Sequence, residues 1–157
     1  MLRAPKFLEE EHSELMNALR KASKSSDETG RAVRRLLEKL EPHFEAEERF
    51  VTPCLAALTP LAEGNMTVSS QILPLLTELE KRYSAFYEEH KVIRERALAV
   101  RKVAARDGCS DIVDLIDGLT HHADVEEELL YPAALVSGRY VAAMSLKTEA
   151  HMPTRAP

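Results

Sequence analysis

The chain has 157 residues, of which 45% are hydrophobic and 30% charged, a composition that predicts one globular domain and excludes a disordered or collagen-like chain. The 21 Lys and Arg residues against 26 Asp and Glu residues give a net charge of −5, which argues against nucleic acid binding. Five Gly residues and no Trp, with many Ala, Leu, Glu, Lys and Arg residues, favour an all-α fold over a sandwich or barrel.

Capping and turn residues divide the chain into four helical segments. The stretch 25–27 (Ser-Ser-Asp) can cap one helix, Ser110 with Asp111 can cap another, and Gly108 follows a third as a helix-ending glycine should. The predicted helices cover about residues 5–24, 28–58, 72–106 and 111–136, and a tail follows from Ser137. This divides the chain into a helical domain at 1–136 and a C-terminal tail at 137–157.

Buried-type residues recur within each segment at steps of three and four, the seam that a helix presents to its neighbours in a bundle. In the fourth segment the seam comprises Ile112, Leu115, Leu119, His122, Glu126, Leu129, Ala133 and Val136. The four seams contain one histidine each: His12, His43, His90 and His122. In two seams a glutamate, Glu47 or Glu126, follows the histidine by four residues and so lies on the same face. The pattern predicts an antiparallel up-down four-helix bundle with polar groups inside.

The two halves of the chain repeat each other. Glu10-Glu11-His12 is matched by Glu88-Glu89-His90, and His43, Glu47, Glu48 and Pro53 are matched by His122, Glu126, Glu127 and Pro132. His43 follows His12 by 31 residues, and His122 follows His90 by 32. Two helical hairpins of similar design could pack about a pseudo-twofold axis, which would bring four histidines and two glutamates to one level of the bundle.

The seam glutamates carry the argument for a metal site. Any one histidine on an apolar face can be a hydrogen-bonded core residue, but an ionised buried carboxylate without a partner costs several kcal/mol. No Lys or Arg occupies a seam position beside Glu47 or Glu126, so either a cation sits there or the carboxylates are protonated. Six nitrogen and oxygen ligands without a thiolate suit iron or manganese better than structural zinc. Two carboxylates can bridge two metals, leaving two histidines for each. The predicted ligands are His12, His43, Glu47, His90, His122 and Glu126.

Four further residues lie near the predicted ligands in the sequence and could contact them. Glu48 and Glu127 each follow a proposed bridging glutamate by one residue, so they point away from the site and are expected to face solvent or to hydrogen-bond a ligand histidine. Tyr83 and Phe86 lie on the His90 seam. We expect both aromatic rings to pack in the core, although the Tyr83 hydroxyl could also hydrogen-bond an exogenous ligand.

At this point the chain resembles a known family, the hemerythrin-like or HHE cation-binding four-helix bundles. The residues that carry the resemblance are His12, then His43, Glu47, Glu48 and Pro53, then His90, then His122, Glu126, Glu127 and Pro132, within about residues 8–136. The resemblance implies a non-haem di-iron centre, two iron ions with an oxo or hydroxo bridge, with O2, peroxide or nitric oxide as exogenous ligand. Members serve as oxygen carriers, sensors, iron–sulfur repair proteins or iron-responsive modules. A ferritin-like site would need two Glu-xx-His motifs, and the chain offers one, at Glu9.

The chain departs from the oxygen-carrying branch of that family, which has a His-xxx-His pair on its third helix. Here the residues four positions either side of His90 are Phe86 and Arg94. The pattern therefore resembles the branch with four histidines and two glutamates. On the fourth helix His121 also has a spacing to Glu126 that the carriers use, but the seam favours His122 because His121 is displaced by about 100° around the helix.

The function expected is that of a non-haem di-iron protein whose open iron positions react with or sense O2, peroxide or nitric oxide. The alternative is a non-catalytic iron-binding or sensing module that acts through a partner protein. The resemblance leaves open whether the protein is an enzyme. A charged N-terminal stretch, two cysteines without a CxxC pair and no apolar run of about 20 residues predict a soluble cytoplasmic protein that binds neither a membrane nor nucleic acid.

Overall fold

The computed structural model describes residues 6–67 and 69–150, and within these ranges the chain is helical without a β-strand. The helices are α1 (Lys6–Ala22), α2 (Glu28–Phe50), α3 (Thr52–Ala56), α4 (Leu58–Ala62), α5 (Ser69–Arg106), α6 (Ser110–Val125) and α7 (Tyr131–Ala150). A π-helical segment, Glu126–Leu130, joins α6 and α7 into one continuous helix. The bundle therefore has four long helices, of which this continuous helix is the last.

The four long helices form the predicted bundle. α2 packs against α1 and α5, while α6 packs against α1 and α5, so each helix has two neighbours. Consecutive helices are antiparallel because short connections join α1 to α2 and α5 to α6. α3 follows α2 and packs against α5 and α7. The helical bundle expected from the sequence is confirmed.

Two apolar clusters form the core, one toward each end of the bundle. One contains Leu19, Val33, Leu36, Leu40, Ile93, Val100 and Leu119, with other side chains of α1, α2, α5 and α6. The second contains Leu8, Cys54, Leu55, Ile72, Leu79, Phe86 and Tyr131, with parts of α3, α5 and α7. In α1, His12 lies between Leu8 of one cluster and Leu15 of the other. The predicted polar level is therefore enclosed by apolar side chains on both sides.

The predicted helix boundaries hold at one end of α2 and fail at the other. Asp27 caps α2 by accepting a hydrogen bond from the Gly30 backbone N–H at 2.7 Å. At its C-terminus α2 ends at Phe50 rather than at 58, because Pro53 has no N–H for the Arg49 carbonyl and its ring crowds that turn. The chain continues as the short helices α3 and α4.

The observed boundaries of α5 and the start of α6 lie within three residues of the predicted ones. α5 begins at Ser69, three residues before the predicted start, and ends before Gly108, whose φ of +73° is the left-handed conformation that glycine adopts easily. The cap predicted at Ser110 does not form. Ser110 is already the first residue of α6, and the helix begins without a side-chain hydrogen bond.

The fourth helix differs most from the prediction. The π segment accommodates one extra residue per turn and so rotates all later residues around the helix axis. Leu129 and Val136, placed in the predicted seam, are 61% and 65% exposed. The residues that face the core instead are Tyr131, Ala134, Ser137 and Val141. The predicted seam beyond Glu126 is therefore wrong at Leu129 and Val136, while Ala133 is half-buried against the core.

The predicted tail also begins inside this helix. α7 crosses Ser137 and continues to Ala150, while residues 151–157 lie outside the described part of the chain. The Ser137 hydroxyl donates to the Cys54 carbonyl at 2.8 Å, which ties α7 to α3. The division into a bundle at 1–136 and a tail at 137–157 stays a prediction, with helical structure running across the boundary.

The continuous helix over Ser110–Leu146 is long and apolar enough, by length and composition alone, to cross a membrane. One such helix is weak evidence, because a core helix of a soluble protein passes the same test. Here the helix carries the buried polar residues His122 and Glu126 into the bundle.

The extended fourth helix gives a testable prediction. A chain that ends at Val136 should lose about 3 kcal/mol of unfolding free energy, about 2 from the buried Val141 side chain and about 1 from the Ser137 hydrogen bond. A chain that ends at Ala150 serves as the control and should unfold like the full chain. Urea unfolding followed by circular dichroism measures both, and equal stability of all three chains would contradict the packing of α7.

Candidate metal centre

All six residues predicted to bind metal meet in the middle of the bundle. His12 comes from α1, His43 and Glu47 from α2, His90 from α5, His122 from α6, and Glu126 is the first residue of the π segment. Each of the six is only 1–3% exposed. His121, the alternative to His122, is exposed on the surface of α6. The structure thus brings together the set that the seams and the repeat selected, and it leaves His121 outside.

The cluster divides into two adjacent positions. Ligand atoms of His43, Glu47, His90 and Glu126 lie within 4.8 Å of one another, and we call this group position A. Ligand atoms of His12, His122 and Glu126 satisfy the same limit, and we call this group position B. In position B the two imidazole Nε2 atoms are 3.1 Å apart. Glu126 belongs to both positions.

Both carboxylates extend across the two positions. Glu126 places Oε1 2.9 Å from His122 Nε2 and Oε2 3.3 Å from His90 Nε2. Glu47 places Oε1 3.1 Å from His43 Nε2 and Oε2 3.7 Å from His12 Nε2. Each carboxylate therefore presents one oxygen to position A and the other to position B. This is the arrangement of two bridging carboxylates.

The hydrogen bonding of the cluster is incomplete in a way that fits cations. Glu47 Oε2 and Glu126 Oε2 are fully buried and have no hydrogen-bond partner among the described residues. Leaving a buried charged oxygen unpaired costs several kcal/mol. Imidazole nitrogens, carboxylate oxygens and no thiolate form a donor set that suits divalent transition metals. The residues present therefore fit a pair of metal ions.

A second layer of carboxylates holds the imidazoles. The four Nδ1 contacts are His12 with Glu48 at 3.4 Å, His43 with Glu89 at 2.7 Å, His90 with Glu127 at 2.9 Å, and His122 with Glu11 at 3.1 Å. When each Nδ1–H donates to its glutamate, the Nε2 lone pair is left facing the cluster. Of the two environments expected for Glu48 and Glu127, solvent or a histidine hydrogen bond, the structure shows the histidine contact for both. Glu11 and Glu89 were missed, although the repeated Glu-Glu-His triplet was the signal for both.

One of these outer pairs differs from the other three. Arg94 donates to Glu127 at 2.7 Å and to Asp124 at 2.7 Å, so the carboxylate behind His90 is shared with a guanidinium. Arg94 lies four residues after His90 on α5. Phe86, four residues before His90, packs its ring on His43 and Tyr131, with centroids 5.9 and 5.3 Å away. Neither position supplies a ligand.

The charges of the cluster shift the pKa values of its members. Burial alone would lower the pKa of His43, but hydrogen bonds to Glu47 and Glu89 and the nearby charges outweigh it and raise that pKa to about 9. The pKa of His122 is raised as well, because its bond to Glu126 outweighs burial. Burial would raise the pKa of Glu126, yet the imidazoles of His12, His122 and His90 around its carboxylate hold it well below the ordinary value. Without a metal, the protonated His43 imidazole therefore supplies positive charge beside the buried carboxylates.

Tyr131 is the residue in the site that the sequence did not reveal. It is 1% exposed, and its hydroxyl donates to Glu47 Oε1 within position A. Burial and the charges of Glu47 and Glu126 raise its pKa, so without a cation the hydroxyl keeps its proton. The predicted seam skipped this residue because the π segment changes the register after Glu126. Tyr83 is the tyrosine whose hydroxyl the sequence suggested as a partner for an exogenous ligand. In the structure this hydroxyl is hydrogen-bonded to the Tyr87 hydroxyl at 3.1 Å instead.

Comparison with known families agrees with this geometry. A family model described as the hemerythrin HHE cation binding domain matches residues 4–88 and 81–151. The chain belongs to this family of cation-binding helical bundles. The first stretch covers α1 to α4 and the beginning of α5, and the second covers the rest of α5 with α6 and α7. No significant match was found among curated proteins or among solved structures.

The outer carboxylates give a prediction with a matched control on the same helix. Glu89→Ala should weaken metal binding roughly ten- to hundredfold, because the His43 imidazole loses the partner that fixes its orientation. Glu88→Ala should leave the affinity unchanged, since Glu88 pairs with Lys91 at 2.6 Å on the surface. Competition with a chromogenic chelator measures both dissociation constants. Equal affinities of the two variants would show that the outer carboxylate does not support the site.

The raised pKa of His43 predicts how metal binding depends on pH. Protonation of this imidazole stabilises the metal-free fold fully below its ordinary pKa of 6.5, and that contribution is lost as the pH rises through about 9. A metal must displace the proton, so its apparent affinity should rise between these values by up to about tenfold per pH unit for each proton displaced. Mn²⁺ titrations at pH values between 6.5 and about 9 measure this change in affinity. An affinity that stays constant over this pH range would contradict the prediction.

Proposed function

We propose that this protein binds two iron ions in one dinuclear centre. His43 and His90 would hold one ion and His12 and His122 the other, with Glu47 and Glu126 bridging both. The observation that carries the proposal is that each carboxylate directs one oxygen to each position, at 2.9 and 3.3 Å from a ligand imidazole for Glu126. Iron is favoured over structural zinc because the donor set is large and contains no cysteine.

Bound iron would supply redox chemistry toward O2, peroxide or nitric oxide. The chain provides four ligand atoms to each position from these six residues, so coordination sites remain for a small exogenous molecule. A cleft of about 190 Å³ between α1 and α2 is lined by His12, Met16, Phe44 and Glu48, which offers a path to position B. The His12 and Phe44 rings are stacked with centroids 3.9 Å apart, and this apolar contact limits water.

We further propose that the site reacts with these molecules or senses them, and that it does not carry O2 reversibly. The carriers of this family have one more histidine, four residues from the histidine of the third helix, and here the residues four before and four after His90 are Phe86 and Arg94. The Phe86 side chain is buried in the core, and the Arg94 guanidinium donates a hydrogen bond to Glu127. The irons would therefore keep more open positions than in a carrier.

Iron stoichiometry tests the proposed centre. Anaerobic reconstitution with ferrous iron should load about two ions per chain, the number that two bridging carboxylates support. Glu126→Ala should lose at least one of the two, because this residue serves both positions. Glu128→Ala, which alters an exposed glutamate two residues away, should bind like the wild type. Well under one iron per chain in the wild type would overturn the proposal.

Reaction with O2 tests the proposed chemistry. The diferrous protein should be oxidised to the diferric form on a single exposure and should not return O2 on evacuation. Phe86→His should slow this oxidation by adding an imidazole beside His90, whereas Phe86→Leu keeps an apolar side chain and should oxidise like the wild type. Stopped-flow absorbance follows the rate. Repeated uptake and release of O2 by the wild type would establish a carrier instead.

A second candidate is a sensing module that acts through a partner protein. Leu129, Val136 and Tyr140 are exposed at spacings of seven and four, so they form an apolar stripe on the outer face of the helix that carries Glu126. A partner on this stripe could respond to occupancy of the site. Partner binding that differs between loaded and metal-free protein, without turnover of peroxide, would favour this function. Free Cys54 and Cys109 fit the cytoplasmic location that we propose for either function.

A further inference from the structure

The hydroxyl of Tyr131 occupies a place that packing alone does not require. Its oxygen lies 3.1 Å from His90 Nε2 and 3.5 Å from His43 Nε2, and it also donates to Glu47 Oε1. These three atoms belong to three of the four residues of position A, the fourth being Glu126. Separations near 3 Å are those expected between neighbouring ligands around one metal ion with bond lengths of about 2 Å.

The backbone is built so that this oxygen reaches the site. Tyr131 follows Glu126 by five residues, a spacing that an α-helix places on different faces. The π segment between them closes its turn over five residues and brings both side chains to the same side. π turns inside helices occur often at functional sites, because an isolated extra residue costs stability.

The other half of the molecule offers no equivalent group. In the repeat the residue five positions after Glu47 is Thr52, and α2 has already ended there, so Thr52 is the first residue of α3. Within the described residues, position B has no phenol: its donor atoms come from His12, His122 and the two carboxylates. The pseudo-twofold symmetry of the six ligands is broken at this one place.

We propose that the Tyr131 oxygen is a seventh ligand, bound to the metal at position A alone. The inference rests on the proposed iron centre and adds that its two ions are inequivalent. On binding of ferric iron the Tyr131 O–H bond breaks, the oxygen–iron bond forms and the proton leaves to solvent. No oxidation or reduction accompanies this step. The phenolate also supplies a third negative charge beside the two carboxylates, which favours the ferric ion at position A.

Optical and Raman spectra of the ferric protein test the assignment. Phenolate bound to ferric iron gives a visible charge-transfer band and tyrosine ring vibrations that are enhanced by excitation within that band. The wild type should show both signals. Tyr131→Phe, which keeps the ring, should lose them while it still binds iron. Tyr87→Phe is the matched control and should keep them, since the Tyr87 hydroxyl bonds to Tyr83 and to the Glu127 carbonyl.

A second measurement tests for a tyrosine ligand in the wild type, without relying on the Tyr131→Phe variant. Wild-type protein grown with ring-deuterated tyrosine should shift the enhanced vibrations if they arise from a tyrosine ligand. A wild type that binds two irons but lacks these signals would overturn the ligand assignment and leave the proposed function intact. Signals that survive in Tyr131→Phe would overturn it as well. A wild type that binds no iron would overturn the proposed function itself.

Discussion

The structure depends on two carboxylates held inside an apolar bundle. Glu47 and Glu126 are almost fully buried, and each keeps one oxygen without a hydrogen-bond partner among the described residues. Such groups cost several kcal/mol unless positive charge compensates them. Protonated histidines can compensate in the metal-free state, as the raised pKa of His43 indicates. Bound metal ions would compensate better, because they would also take the lone pairs of the Nε2 atoms that face the cluster.

The internal repeat explains how a chain of this size builds the site. Each hairpin contributes two histidines and one glutamate to the buried cluster, together with two outer glutamates. The outer glutamates contact histidines on neighbouring helices: Glu48 and Glu127 within their own hairpin, Glu11 and Glu89 across to the other. The doubled acidic residues beside each ligand thus connect all four helices. The same contacts that orient the imidazoles also hold the hairpins together, so we expect site and bundle to lose order together.

The sequence predicted the bundle and the six-residue cluster because both depend on local rules that a helix obeys: apolar spacing of three and four, and a glutamate one turn after a histidine. It failed where the backbone left the ideal helix. Pro53 ended α2 at Phe50. The π segment rotated the fourth helix so that Tyr131 lies in the core while Leu129 is exposed. A single-residue change of register is set by tertiary packing and leaves no periodic signal. Tyr131 was therefore beyond the reach of spacing arguments.

The central claim is that two metal ions share the two carboxylates. The most direct test is an anomalous difference map from crystals of the iron-loaded protein, recorded at the iron absorption edge. We predict two peaks about 3.5–4 Å apart, the usual separation in two-metal sites, one between His43 and His90 and the other between His12 and His122. A single peak, or peaks outside the six-residue cluster, would contradict the account.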